Sequence, residues 1–98
     1  MKRVLIIKEQ AKDQLSEAAL WYERKQANLG MAFFEEWEST TAYISNHAEN
    51  CAKKYKQFRY AMLKRFPYLV VYEIEGSSVV IYAVVYAGRH PSKRHKKI

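Results

Sequence analysis

Between Tyr55 and Tyr68 the chain interleaves cations with aromatic rings: Tyr55, Lys56, Arg59, Tyr60, Lys64, Arg65, Phe66 and Tyr68. Lysine and arginine neutralise phosphate or carboxylate charge, and exposed rings stack on unpaired bases. The competing reading puts Tyr60 and Phe66 in a core and Lys64 and Arg65 at a strand edge, where charge discourages edge-to-edge pairing. Arg59 and Arg65 form a candidate partner-binding pair under the first reading. Further on, Arg89 and His90 follow an apolar run, and His95 lies in a basic stretch. A metal-free RNA cleavage site needs a base for the 2′-hydroxyl, an acid for the leaving oxygen and cations for the phosphate charge. His90 or His95 has the right type for the proton transfers, since histidine titrates near ~6.5. Arg59, Arg65 and Arg89 have the right type for the charge. The alternative for each histidine is a solvated side chain in a basic tail.

Other chemistries find less material. Gly30, Gly76 and Gly88 are isolated, so there is no glycine-rich phosphate loop. His47 and Cys51 stand four apart, but no third and fourth ligand follow at zinc spacing. Neither a metal nor a cofactor is therefore expected. Glu73 and Glu75 share a strand face, yet a glycosidase pair is out of place on so small and basic a chain. Cys51 is the only cysteine, which excludes an intrachain disulfide and fits a reduced, cytoplasmic setting.

The charge that would drive binding is lopsided. Of 98 residues, 17 are Lys or Arg and 10 are Asp or Glu, a net +7. Residues 1–50 hold six cations against eight acids, and residues 51–98 hold eleven against two. The second half should therefore meet a phosphate backbone or an acidic protein. No apolar stretch is long enough for a membrane span, and the apolar residues 4–7 are too few for a signal peptide. With 49% hydrophobic residues, a chain of this length supports one domain over 1–98, with 91–98 as a basic tail.

Hydrophobic periodicity supplies the elements that must position these residues. Residues 2–8 (KRVLIIK) are a short apolar run without alternation, as in a strand buried on both faces or central in a sheet. From Glu9 the period changes to that of a helix: Ala11, Leu15, Ala18, Ala19 and Tyr22 share one face over 9–25. Asn28 and Gly30 break it, and a second helix to residue 46 buries Leu29, Phe33, Trp37, Thr40 or Thr41, and Ile44. The short break makes an antiparallel helical hairpin. Residues 47–54 read as a loop. Period 2 then marks strands over 55–66, 68–74 and 79–86, with Pro67 at one turn and residues 75–78 at the next. The order β-α-α-β-β-β describes a two-layer α+β domain, with a helical hairpin packed on an antiparallel sheet. The opposite sheet face is left for a ligand.

Several stretches together resemble a known family. They are residues 18–23 (AALWYE), Leu29-Gly30 with Phe33, Arg59 followed by residues 63–68 (LKRFPY) with Tyr72, and residues 84–91 (VVYAGRHP). This pattern is similar to the RelE/ParE superfamily of toxins, in its ParE-like, plasmid-stabilisation branch, and spans residues 8–94. The resemblance implies the same RelE/ParE-like fold and the toxin of a type II toxin–antitoxin pair, neutralised by a cognate acidic antitoxin in a hetero-oligomer.

Two activities occur in the superfamily. RelE-like members are ribosome-dependent mRNA endonucleases that need no metal, and ParE-like members poison DNA gyrase. Carried over residue by residue, Arg59 and Arg65 stand for the second-strand cations, Arg89 for the arginine after the last strand, and His95 for the terminal Tyr or His. Leu69 stands where an arginine is expected early in the third strand. The expected function is accordingly a gyrase-poisoning toxin, with the mRNA interferase second and a non-toxic nucleic-acid-binding module third. Arg59, Arg65, Arg89 and His95 are catalytic only under the nuclease reading. Arg59, Lys64, Arg65, Arg89, Lys93 and Arg94 are expected to bind the partner.

Overall fold

The computed structural model describes residues 2–88. In chain order it contains β1 (Val4–Ile7), α1 (Glu9–Lys25), α2 (Leu29–Asn46), a single 3₁₀ turn (Ala48–Asn50), β2 (Lys53–Tyr55), β3 (Phe58–Met62), β4 (Tyr68–Glu75) and β5 (Ser78–Tyr86).

The helical layer follows its apolar stripes. Ala11 and Ala18 of α1 are buried, with Leu15, Ala19 and Tyr22 packed beside them. Phe33, Trp37, Thr41 and Ile44 of α2 meet the same core. Trp21 and Phe34, one step off each stripe, are exposed. Between the helices Asn28 adopts a left-handed backbone, with φ of 73°. The Glu23 carboxylate of α1 accepts the N–H groups of Asn28 and Gly30, each at 2.9 Å. It thus satisfies donors left over at the start of α2 and places negative charge at the positive end of that helix. A Cβ on Gly30 would lie 2.6 Å from the Ala19 carbonyl oxygen, so glycine lets the two helices approach here.

The strands form one five-stranded sheet in the order β1-β5-β4-β3-β2. The pairs among β2, β3, β4 and β5 are antiparallel, while β1 joins β5 in parallel. The sheet is therefore mixed. The expectation of a central or doubly buried β1 is corrected: it is an edge strand. Leu5 and Ile7 pack toward the core, whereas Val4 and Ile6 are exposed on the side away from the helices. Alternation was invisible because both faces of the strand carry aliphatic residues. Ser45 of α2 closes the start of this edge, its carbonyl accepting the Arg3 N–H at 2.9 Å and its hydroxyl donating to the Arg3 carbonyl at 2.6 Å.

The expected strand over 55–66 is two strands and a loop. Lys56 and Gln57 form a turn between β2 and β3, with Lys56 at φ of 54°. That turn lacks the Asn-Gly or Asp-Gly signature that would reveal it in sequence. After Met62 the chain leaves the sheet, and the turn at residues 63–67 sends Leu63 and Phe66 into the core. There Phe66 meets Tyr22 and Phe33 at centroid distances of 4.8 and 5.1 Å. Tyr72 of β4 is fully buried and donates its phenol to the Ala48 carbonyl at 2.7 Å.

Candidate functional site

Arg59 lies on β3 opposite Tyr72, on the core side of the strand. Its Nη1 donates to the carbonyls of Cys51 at 2.7 Å and Glu49 at 3.3 Å, so the guanidinium ties β3 to the segment entering β2. Lys64 and Arg65 occupy the loop before β4 and are exposed. The Arg65 guanidinium lies 5.4 Å from the Phe66 ring centroid. Its Nε is 3.5 Å from a carboxylate oxygen of Glu36 on α2. The Glu36 carboxylate also accepts the main-chain N–H of Lys64 at 2.6 Å and that of Arg65 at 3.1 Å.

Leu69 follows on β4, half-buried and paired with Met62. Arg89, His90, Lys93, Arg94 and His95 lie outside the described residues. The structure therefore brings Lys64 and Arg65 together and places Arg59 apart, in main-chain hydrogen bonds. Further cations sit on the β2–β3 hairpin, where Lys53, Lys54 and Lys56 are exposed along the sheet edge.

Glu36 was not singled out in the sequence, because a glutamate on a helix 28 residues from its partner leaves no local signal. The sheet-edge grouping of Lys53, Lys54 and Lys56 was missed for the same reason that the hairpin was.

Two concavities flank this surface. One, of about 580 Å³, lies between α1 and the ends of β4 and β5 and is lined by Gln14, Glu17, Trp21, Tyr22, Tyr68 and Tyr86. Gln14 accepts the Val84 N–H there at 2.8 Å, fastening α1 to β5. Burial, and secondarily the neighbouring phenols, push the Tyr22 and Tyr68 phenols above their usual range, so both are neutral at physiological pH. The second, of about 400 Å³, runs between α2 and β3 beside Lys64. Among the described residues, no three His, Cys, Asp or Glu side chains cluster as a metal site would require. No helix among them is long and apolar enough to cross a membrane.

Two helices on a mixed sheet, with cations gathered on one hairpin and one loop, define a small α+β protein. The same fold occurs in a chain of a chromosomal ParDE toxin–antitoxin system from P. aeruginosa, with a TM-score of 0.78 over 89% of this chain and 98% of that one, at 13% identity. No curated protein matches the sequence. The family model for the ParE toxin of the type II toxin–antitoxin system parDE matches residues 5–91. The chain belongs to this family and is a ParE-like toxin of a type II toxin–antitoxin system.

Proposed function

We propose that this toxin arrests growth by poisoning DNA gyrase and that a cognate acidic antitoxin neutralises it in the cytoplasm, in a plasmid-stabilisation type of system. The observation that carries the choice of target is Leu69. A ribosome-dependent nuclease would need a cation early in β4 to hold developing phosphate charge, and an aliphatic side chain stands there, paired with Met62. Antitoxin binding is assigned to Arg59, Lys64, Arg65, Arg89, Lys93 and Arg94, six of the eleven cations of the basic half.

Induced expression tests the target. Gyrase poisoning produces DNA breaks and an SOS response, relieved by co-expressed antitoxin, and purified gyrase accumulates cleaved DNA in the presence of the toxin. Loss of mRNA by cleavage on ribosomes, without DNA breaks, would instead establish the interferase. Binding to nucleic acid with no effect on growth would leave the non-toxic module.

A further inference from the structure

Glu36 holds the back of an arginine whose front is open. The Glu36 side chain is 9% exposed and that of Arg65 is 64% exposed. One carboxylate accepts two successive main-chain N–H groups, from Lys64 and Arg65, and faces the Arg65 Nε. The Phe66 ring lies against the guanidinium. Nε thus faces Glu36 while the side chain as a whole stays largely exposed. A guanidinium held in this way has lost part of its rotamer freedom before binding, which favours two-point recognition of a carboxylate or phosphate.

The surroundings choose between those anions. The adjoining groove is lined by Thr40, Tyr43, Ala61 and the β3 edge at Tyr60 and Met62, and Tyr43 exposes apolar area beside it. Glu35 and Glu38 are exposed on the same helix as Glu36. A nucleic-acid strand carries a phosphate at every nucleotide and would run its charge against these glutamates. A peptide can set one carboxylate on Arg65 and apolar side chains in the groove.

We propose that Glu36 is a positioning residue that preorganises Arg65 as a fork for a carboxylate of an acidic, partly apolar peptide segment whose apolar side chains fill the groove between α2 and β3. This rests on the reading of the protein as a toxin bound by an acidic antitoxin and deepens it.

The test titrates the full chain with its antitoxin, taken as the product of the adjoining gene that restores growth when co-expressed. Four proteins are compared: parent, Glu36→Gln, Arg65→Lys and the double variant. Glutamine keeps an acceptor for the loop N–H groups but loses the charge facing Nε. Arg65→Lys keeps the charge and loses the fork, and should weaken binding about tenfold. Glu36→Gln should weaken it roughly threefold or more, although it removes a negative charge from a surface that meets an acidic partner. In the Arg65→Lys background Glu36→Gln should add nothing, because it acts through Arg65. Melting temperatures should stay within a few degrees of the parent.

Equal or tighter binding by Glu36→Gln, the outcome simple charge predicts, would overturn the positioning role. So would effects that multiply in the double variant, the mark of a purely structural contribution. If Arg65→Lys instead weakened binding of a single-stranded RNA oligonucleotide and spared the antitoxin, the fork would belong to nucleic acid and the proposal would fall. A parent chain that binds no antitoxin would remove the underlying reading as well, whereas normal antitoxin binding by every variant removes only this inference.

Discussion

Arg59 and Arg65 are six residues apart and do different things. Arg59 gives its Nη1 to two carbonyls and fixes the entry to β2. Arg65 is held at Nε by Glu36 and extends outward. Arg89 and His95 separate the mechanisms by mutation. Under gyrase poisoning His95→Ala should be nearly silent in a growth-arrest assay, because docking requires no proton transfer. Arg89→Ala should relieve arrest, since a cation at this position serves either mechanism. Under nuclease action loss of a histidine acid or base would cost ~10²–10⁴ in rate, and His95→Ala would restore growth and intact mRNA.

Tyr72 carries a prediction about pH. Burial, then the neighbouring Cys51, pushes its phenol well above the usual ~10. Below that pH folded and unfolded chains both keep the proton, and the stabilisation is complete. As pH rises past ~10 the unfolded chain releases a proton that the fold retains, so stability falls. Tyr72→Phe leaves the Ala48 carbonyl without this donor and should cost about 1–3 kcal/mol near neutrality. It should also lose less than the parent between pH 8 and 11, as denaturant titrations at both ends would record.

At the scale of elements, the two helices do most of the positioning. Trp37 is 4% exposed on the inner face of α2, one turn beyond Phe33 and adjacent to Glu36. Trp37→Ala should cost ~3–5 kcal/mol as a large core truncation. Thermal melts check this, and a variant melting like the parent would mean that Trp37 does not contribute to the core as its burial implies. The same packing holds the α2 face from which Glu36 reaches the 63–67 loop, so helix and loop should lose order together. β1 behaves differently. It precedes the helical hairpin and pairs with β5 as a parallel edge, and its exposed Val4 and Ile6 leave aliphatic surface at the sheet margin.

For the whole molecule, charge asymmetry sets a prediction about association. Among the described residues of the second half, the six cations Lys53, Lys54, Lys56, Arg59, Lys64 and Arg65 outnumber the two acids Glu73 and Glu75, and Glu36 of the first half pairs with Arg65. Antitoxin binding should weaken roughly tenfold between ~0.05 and ~0.5 M salt, mostly through the association rate. Calorimetry or surface-binding kinetics over that range would show it, and an affinity indifferent to salt would exclude charge as the steering force.

The two helices, their inward faces and the α+β class were legible in the sequence, because a 3.6-residue apolar period written over 17 or 18 residues survives any tertiary arrangement. The cations of the second half were legible for the same reason: charge is a property of composition. What those cations do was not. Arg59 and Arg65 look equivalent in a linear chain, and only the main-chain carbonyls beside one and the Glu36 carboxylate behind the other distinguish them. The edge position of β1, the turn at Lys56 and Gln57, and the inward swing of Phe66 also required the folded chain. A four-residue aliphatic run carries no record of its neighbours, a turn without Asn-Gly or Asp-Gly looks like strand, and contacts between residues 28 or more apart are set by packing rather than by local pattern.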